Sequence, residues 1–157
     1  MFKVKLSNLD TTKKFAILIS TIIDKGCVVL LKGELGIGKT TFSKFFIDAL
    51  VPGSNVTSPT FCLVNVYEGK KFEVWHYDLY RITHPEEIYE LGIEEALKSG
   101  VAIIEWPEII ENIIPNNKVI ISLSRMQDSE IREAEISLVG EISERAEIIQ
   151  KFITEND

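Results

Sequence analysis

Residues 33–40 read Gly33-Glu34-Leu35-Gly36-Ile37-Gly38-Lys39-Thr40, which fits G-x-x-x-x-G-K-[ST]. The chemistry of that pattern is phosphate binding. Gly33, Gly36 and Gly38 permit backbone angles and close approaches that a Cβ would block. Such a turn aims successive backbone N–H groups at phosphate oxygens. A helix starting at its end adds the positive end of its dipole. Lys39 is placed to reach β- and γ-phosphates, and the Thr40 hydroxyl to ligate Mg²⁺. A glycine-rich turn without a ligand has no need of Lys39 followed by Thr40.

Phosphate chemistry with a metal needs a further acidic group at the end of a neighbouring buried strand. Two residues qualify. Glu105 directly follows the apolar run Val101-Ala102-Ile103-Ile104, and its position favours the metal shell. Asp78 ends the segment carrying Phe72, Val74 and His76, and becomes the candidate for orienting or activating water. Thr57-Ser58-Pro59-Thr60 lies in the loop after the glycine turn's helix. Ser58 or Thr60 there could sense a γ-phosphate through the metal, as switch-loop threonines do, or simply close a turn. His76 and His84 are too isolated for a metal site, and His76 reads as a packed or hydrogen-bonded strand residue. Trp106 reads equally as a cover for a ligand or as a packing residue. Arg81, Arg125 and Arg132 are candidate phosphate or partner contacts, though each singly reads as a surface charge.

These residues need a scaffold. The chain has 157 residues, which fits one domain spanning residues 1–157 at about 150 residues per domain. Hydrophobic residues are 45% and charged residues 26%, as in an ordinary globular protein and unlike a disordered chain. Met1–Leu6 alternates as a strand, and Asp10 and Thr11 are placed to cap a helix carrying Phe15, Leu18, Ile19, Ile22 and Ile23. Gly26 reads as its end. Cys27–Leu31 is a short apolar run, the mark of a strand covered on both faces. After the glycine turn, Phe42, Phe45, Phe46, Ala49 and Leu50 define a second amphipathic helix. Residues 61–67 and 71–78 read as a hairpin, 85–97 as helical with a break at Gly92, and 141–153 as a last helix. Strands at 101–104, 119–123 and 134–138 complete the pattern. Strands alternating with helices predict an α/β fold, here a mixed, mostly parallel sheet flanked by helices, with an inserted β-hairpin.

Composition also excludes. Seventeen basic against 24 acidic residues give a net charge of −7, and nucleic-acid binding through phosphates needs the opposite surplus. Cys27 and Cys62 have no metal or redox spacing and read as buried free thiols. No signal-peptide core and no membrane-length apolar run is visible, so a cytoplasmic location without membrane contact is expected. Asn117-Lys118-Val119-Ile120 lacks the aspartate of a guanine-reading motif, and no transporter-ATPase signature occurs.

Four segments then fall in order: GELGIGKTTF (33–42), SPTFCLV (58–64), HYDLYR (76–81) and IEWPE (104–108). Together they resemble the TsaE family, formerly YjeE, over residues 6 to 138. Leu91-Gly92-Ile93-Glu94-Glu95 fits the family segment between the last two. The resemblance implies a P-loop NTPase-like fold and a small ATPase that uses ATP and Mg²⁺. It implies a place in tRNA N6-threonylcarbamoyladenosine formation, assisting TsaD and TsaB, which modify adenosine 37 of tRNAs reading codons that begin with A. Contact with tRNA would be indirect, through that complex. Carried over by position, the resemblance gives Gly36, Ile37, Gly38, Lys39, Thr40 and Thr41 to the phosphates. It gives Thr40 and Glu105 to Mg²⁺ and Asp78 to hydrolysis, with Lys39 and Glu105 also counted as catalytic. Leu9 falls near the adenine and Arg132 near a late nucleotide contact. Tyr77 stands where the family often has Phe. A small-molecule kinase and a nucleotide-gated binding module without turnover are the rival readings.

Overall fold

The computed structural model describes residues 1–156. Its elements in chain order are β1 (Phe2–Leu6), α1 (Leu9–Ile22), β2 (Val28–Lys32), α2 (Lys39–Leu50), β3 (Val64–Glu68), β4 (Glu73–Asp78), α3 (Glu87–Glu90), α4 (Ile93–Ser99), β5 (Gly100–Glu105), β6 (Lys118–Arg125), β7 (Arg132–Val139) and α5 (Ala146–Asn156). The seven strands form one sheet in the order β1-β7-β6-β2-β5-β4-β3. The centre, β6-β2-β5-β4, is parallel throughout. β7 runs against β6 and β1, and β3 runs against β4. Five strands therefore point one way and two the other. The β3–β4 hairpin is an edge of this sheet, not an appendage.

Alternation along the central strands builds two cores. Val29 and Leu31 of β2 face Phe15 and Ile19 of α1, Phe42 and Phe46 of α2, and Ile149 of α5. Val28 and Leu30 face Ile88 of α3, Ile93 and Ala96 of α4, and Ile110 and Ile114. A strand covered on both faces has no polar position, which is why β2 and β5 read as unbroken apolar runs. Each fully buried aliphatic side chain contributes about 1.5–3 kcal/mol. The ends of these rigid central strands are thus fixed points from which loops project.

Several boundaries differ from the sequence expectation. Asn8, not Asp10 or Thr11, caps α1: its Oδ1 accepts from the Thr11 N–H at 2.9 Å. The helix begins at Leu9, so Asp10 and Thr11 already lie in its first turn. α1 ends at Ile22, and Gly26 instead serves the turn into β2, donating to the Gly100 carbonyl at 2.8 Å. The expected strand at residues 61–67 starts at Val64, because the Leu63 N–H closes a turn on the Pro59 carbonyl at 2.6 Å and Leu63 is left-handed, φ 68°. Cys62 is therefore exposed, whereas Cys27 is buried. Burial pushes the Cys27 thiol up to about 12. The segment from residue 141 opens with a 3₁₀ turn before α5.

Candidate functional site

Residues 33–38 leave the carboxyl end of β2, the central strand, where ligands of open α/β sheets sit. Two glycines make the turn possible. Gly33 has φ 146°, and a Cβ there would lie 2.8 Å from the Leu123 carbonyl oxygen. Gly38 has φ 117° and starts α2 without a side-chain cap. The first-turn N–H groups of α2 thus meet the loop with no side chain competing for them.

Lys39 is buried at this helix start. Its Nζ donates to the carbonyls of Gly33, at 2.5 Å, and Glu34, at 2.9 Å. It also lies 3.8 Å from the centroid of the Trp106 ring, within cation–π range. Burial pushes the Lys39 ammonium below its ordinary value, while the carboxylates of Glu105, Glu108, Asp78 and Glu34 pull it back up. Trp106 reaches this place because it adopts φ 57° directly after β5. Tyr80 packs against Trp106 at a tilt, ring centroids 5.0 Å apart.

Asp78 and Glu105 end adjacent parallel strands and are register partners. Glu105 is 2% exposed. Its Oε1 accepts from the Thr40 hydroxyl at 2.7 Å. Its Oε2 faces His76 Nε2 at 2.6 Å and the Ser43 hydroxyl at 3.3 Å. Asp78 accepts from the Thr60 hydroxyl at 3.2 Å and from the Tyr80 N–H at 3.1 Å. Ser58 and Thr60 share a 2.7 Å hydrogen bond. The loop hydroxyls thus close a turn and also reach the strand-end aspartate.

Gly36, Gly38, Lys39, Thr40, Thr41, Thr60, Asp78 and Glu105 line one cavity of about 350 Å³, with Leu35, Tyr80, Arg81 and Trp106. The Ile37 side chain turns into the core instead, so only its backbone can serve the loop. Its N–H is held by the Glu34 carbonyl at 3.2 Å. Arg132 flanks Gly38: a Cβ built there would lie 3.8 Å from Arg132 Nε. That Nε is buried without a partner. Arg132 also pairs with Leu6 at the end of β1, three residues before the exposed Leu9. Arg125 forms an ion pair with Glu130, at 3.8 Å. A larger hollow, about 640 Å³, lies between the carboxyl ends of α1 and α2 and the β3–β4 turn. Its Ser20 and Thr21 hydroxyls are committed to the Ile17 and Leu18 carbonyls, and its remaining polar side chains are Asp24, Glu68, Lys70 and Lys71.

Sequence reading missed Ser43 and Tyr80. Ser43 lies four residues after Lys39 and three after Thr40, on the same helix face, and that spacing was the available signal. Among the described residues, no cluster of three or more His, Cys, Asp or Glu is arranged to hold a metal alone. Magnesium carried by phosphates needs less: one or two protein oxygens, the remaining positions being water and phosphate. The Thr40 hydroxyl and Glu105 carboxylate are such hard oxygen donors and already touch.

The sheet order, the loop leaving its central strand and the following helix define the class: a P-loop NTPase-like α/β protein. The crystal structure of Bacillus subtilis YdiB superposes with a TM-score of 0.74 at 28% identity, covering 99% of this chain and 96% of that one. The sequence model of the threonylcarbamoyl adenosine biosynthesis protein TsaE matches residues 6–134, and the chain belongs to the TsaE family. A TsaE of Rickettsia felis is 41% identical over 125 residues, 79% of this chain and 73% of that protein. That of Bacillus subtilis is 35% identical over 139 residues, 88% and 86% of the two chains. That of Haemophilus influenzae is 32% identical over 150 residues, 94% and 92%. No described helix is long and apolar enough to cross a membrane.

Proposed function

We propose that this chain binds Mg·ATP in the 350 Å³ cavity, hydrolyses it, and couples turnover to a TsaB–TsaD complex forming threonylcarbamoyladenosine on tRNA. The observation that carries this reading is the convergence of Lys39, Thr40, Asp78 and Glu105 on that one cavity. The backbone of Gly36, Ile37 and Gly38, with Lys39 and Thr41, holds the phosphates. Lys39 exchanges the Gly33 and Glu34 carbonyls for phosphate oxygens, a stronger charge-assisted bond. Arg132 and Leu9 flank the base and ribose. Thr40 and Glu105 hold Mg²⁺, whose charge, when bound, neutralises the β- and γ-phosphate oxygens.

Asp78 orients a water on the γ-phosphorus and takes its proton. The new bond is from water oxygen to phosphorus, and the bond to the β–γ bridging oxygen breaks. Loss of the γ-phosphate frees the Ser58–Thr60 loop, the element through which a partner would sense the nucleotide. A net charge of −7 fits docking on protein in the cytoplasm, with tRNA reached only through the complex.

The test is steady-state ATP hydrolysis by the purified chain, alone and with TsaB–TsaD, with Lys39→Ala as control. Partner-stimulated turnover that disappears in Lys39→Ala is expected. ATP binding with no turnover in any mixture would replace this reading with a gated binding module.

A further inference from the structure

Glu105 has more partners than a metal ligand at a strand end requires, and they are unevenly placed. Oε1 meets Thr40, which lines the cavity. Oε2 meets Ser43 and His76, both fully buried and neither lining the cavity. We propose that His76, assisted by Ser43, is a positioning residue that pins the inner oxygen of Glu105 and so aims the outer one at the metal. The proposal rests on the reading of Thr40 and Glu105 as the Mg²⁺ ligands.

The register explains how His76 reaches its target. His76 pairs with Ile103 across β4 and β5, and Asp78 pairs with Glu105. His76 is therefore the diagonal neighbour of Glu105 on the same face. A carboxylate only accepts, so His76 Nε2 carries the proton and donates it. The other ring nitrogen, Nδ1, is buried and has no partner. Among the described residues, the bond to Glu105 is thus the sole polar contact of a ring with no exposed surface. An aliphatic side chain would fill the space without burying an unmatched nitrogen. The His76 ring is useful here for the one bond it makes.

Ser43 is the lesser partner. Its hydroxyl has one proton and two acceptors in reach, the Lys39 carbonyl at 3.0 Å and Glu105 at 3.3 Å. The helix carbonyl, being closer, takes the larger share. The contact from His76, at 2.6 Å, is shorter and undivided.

The experiment measures Mn²⁺ binding to the full chain with ADP present, by loss of the free-Mn²⁺ electron paramagnetic resonance signal. ADP binding in EDTA is followed by calorimetry in parallel. His76→Leu should raise the Mn²⁺ midpoint by about 10–100-fold, as loss of a ligand's hydrogen-bond partner does. ADP affinity in EDTA should stay at the wild-type value. His76→Gln, whose Nε2 amide can stand where the ring Nε2 stood, should restore most of the shift, and Ser43→Ala should give a smaller one. Should His76→Leu fail to fold, His76→Asn replaces it, since its shorter amide falls short of Glu105. An unchanged midpoint in the folded His76→Leu or His76→Asn protein would overturn the proposal. So would an equal defect in His76→Gln, which would reduce His76 to a space filler. A wild-type chain whose ADP complex takes up no Mn²⁺ would overturn the metal reading itself, and this inference with it.

Discussion

Asp78 and Glu105 end neighbouring parallel strands, face each other in register and line the same cavity. Both are largely buried, at 6% and 2% exposure. Their partners differ in kind. Glu105 is bound by α2 through Thr40 and Ser43 and by β4 through His76. Those elements belong to the packed body of the protein. Asp78 is bound by Thr60, on the loop between α2 and β3, and by the backbone of Tyr80, just beyond its own strand. A carboxylate held by core elements keeps one position, which suits a metal ligand. A carboxylate held by a loop can change partners when the loop responds to a phosphate, which suits water activation. Two acids at equivalent strand ends are thus suited to different tasks by what donates to them.

The comparison can be broken by experiment. The largest effect belongs to Glu105→Ala, which strips the His76 N–H and two hydroxyls of a common acceptor. Unsatisfied buried donors cost about 1–3 kcal/mol. The variant should melt below the wild type, need more Mg²⁺, and hydrolyse ATP more than about a hundredfold slower at the wild type's half-saturating Mg²⁺. A wild-type melt would mean that the Glu105 cluster does not brace the core. Asp78→Asn should separate the two roles. Its Oδ1 still accepts from Tyr80 and its amide can donate to the Thr60 hydroxyl, so the variant should melt closer to the wild type than Glu105→Ala does, and ATP should still bind. Hydrolysis should fall by about 10²–10⁴-fold, the usual worth of a positioned base. If Asp78→Asn destabilises as Glu105→Ala does, the contrast between core-held and loop-held acids is lost. The smallest effect belongs to Thr60→Val, which removes the 3.2 Å bond to Asp78. A hydrogen bond worth about 0.5–1.5 kcal/mol corresponds to a rate loss of roughly two- to tenfold, read in the same hydrolysis assay.

Some of this was legible in the residues. The loop at 33–40 is contiguous: its glycines answer to backbone geometry and its lysine and threonine to the phosphate-binding pattern, and a sequence displays both directly. The apolar runs of β2 and β5 announced strands covered on both faces, and Asp78 and Glu105 stood out as acids at strand ends. Boundaries were less legible, because neighbouring polar residues compete for each cap. Asn8 prevailed over Asp10 by accepting from Thr11. Cys62 looked buried until the turn at Leu63 delayed the strand.

By itself, then, the sequence determined the groups on offer: a glycine turn of phosphate-binding pattern followed by Lys39 and Thr40, two strand-end acids, and an α/β scaffold with no surplus of positive charge. Only the tertiary structure decided which acid is braced by the core and which by a loop. It decided that His76 and Ser43 turn to Glu105, that Trp106 returns over Lys39, and that Arg132 stands beside Gly38. The physical reason is separation along the chain. Local patterns record the backbone's own requirements. The surroundings of Glu105 depend on donors 29 to 65 residues away, which meet it only once strand register is set.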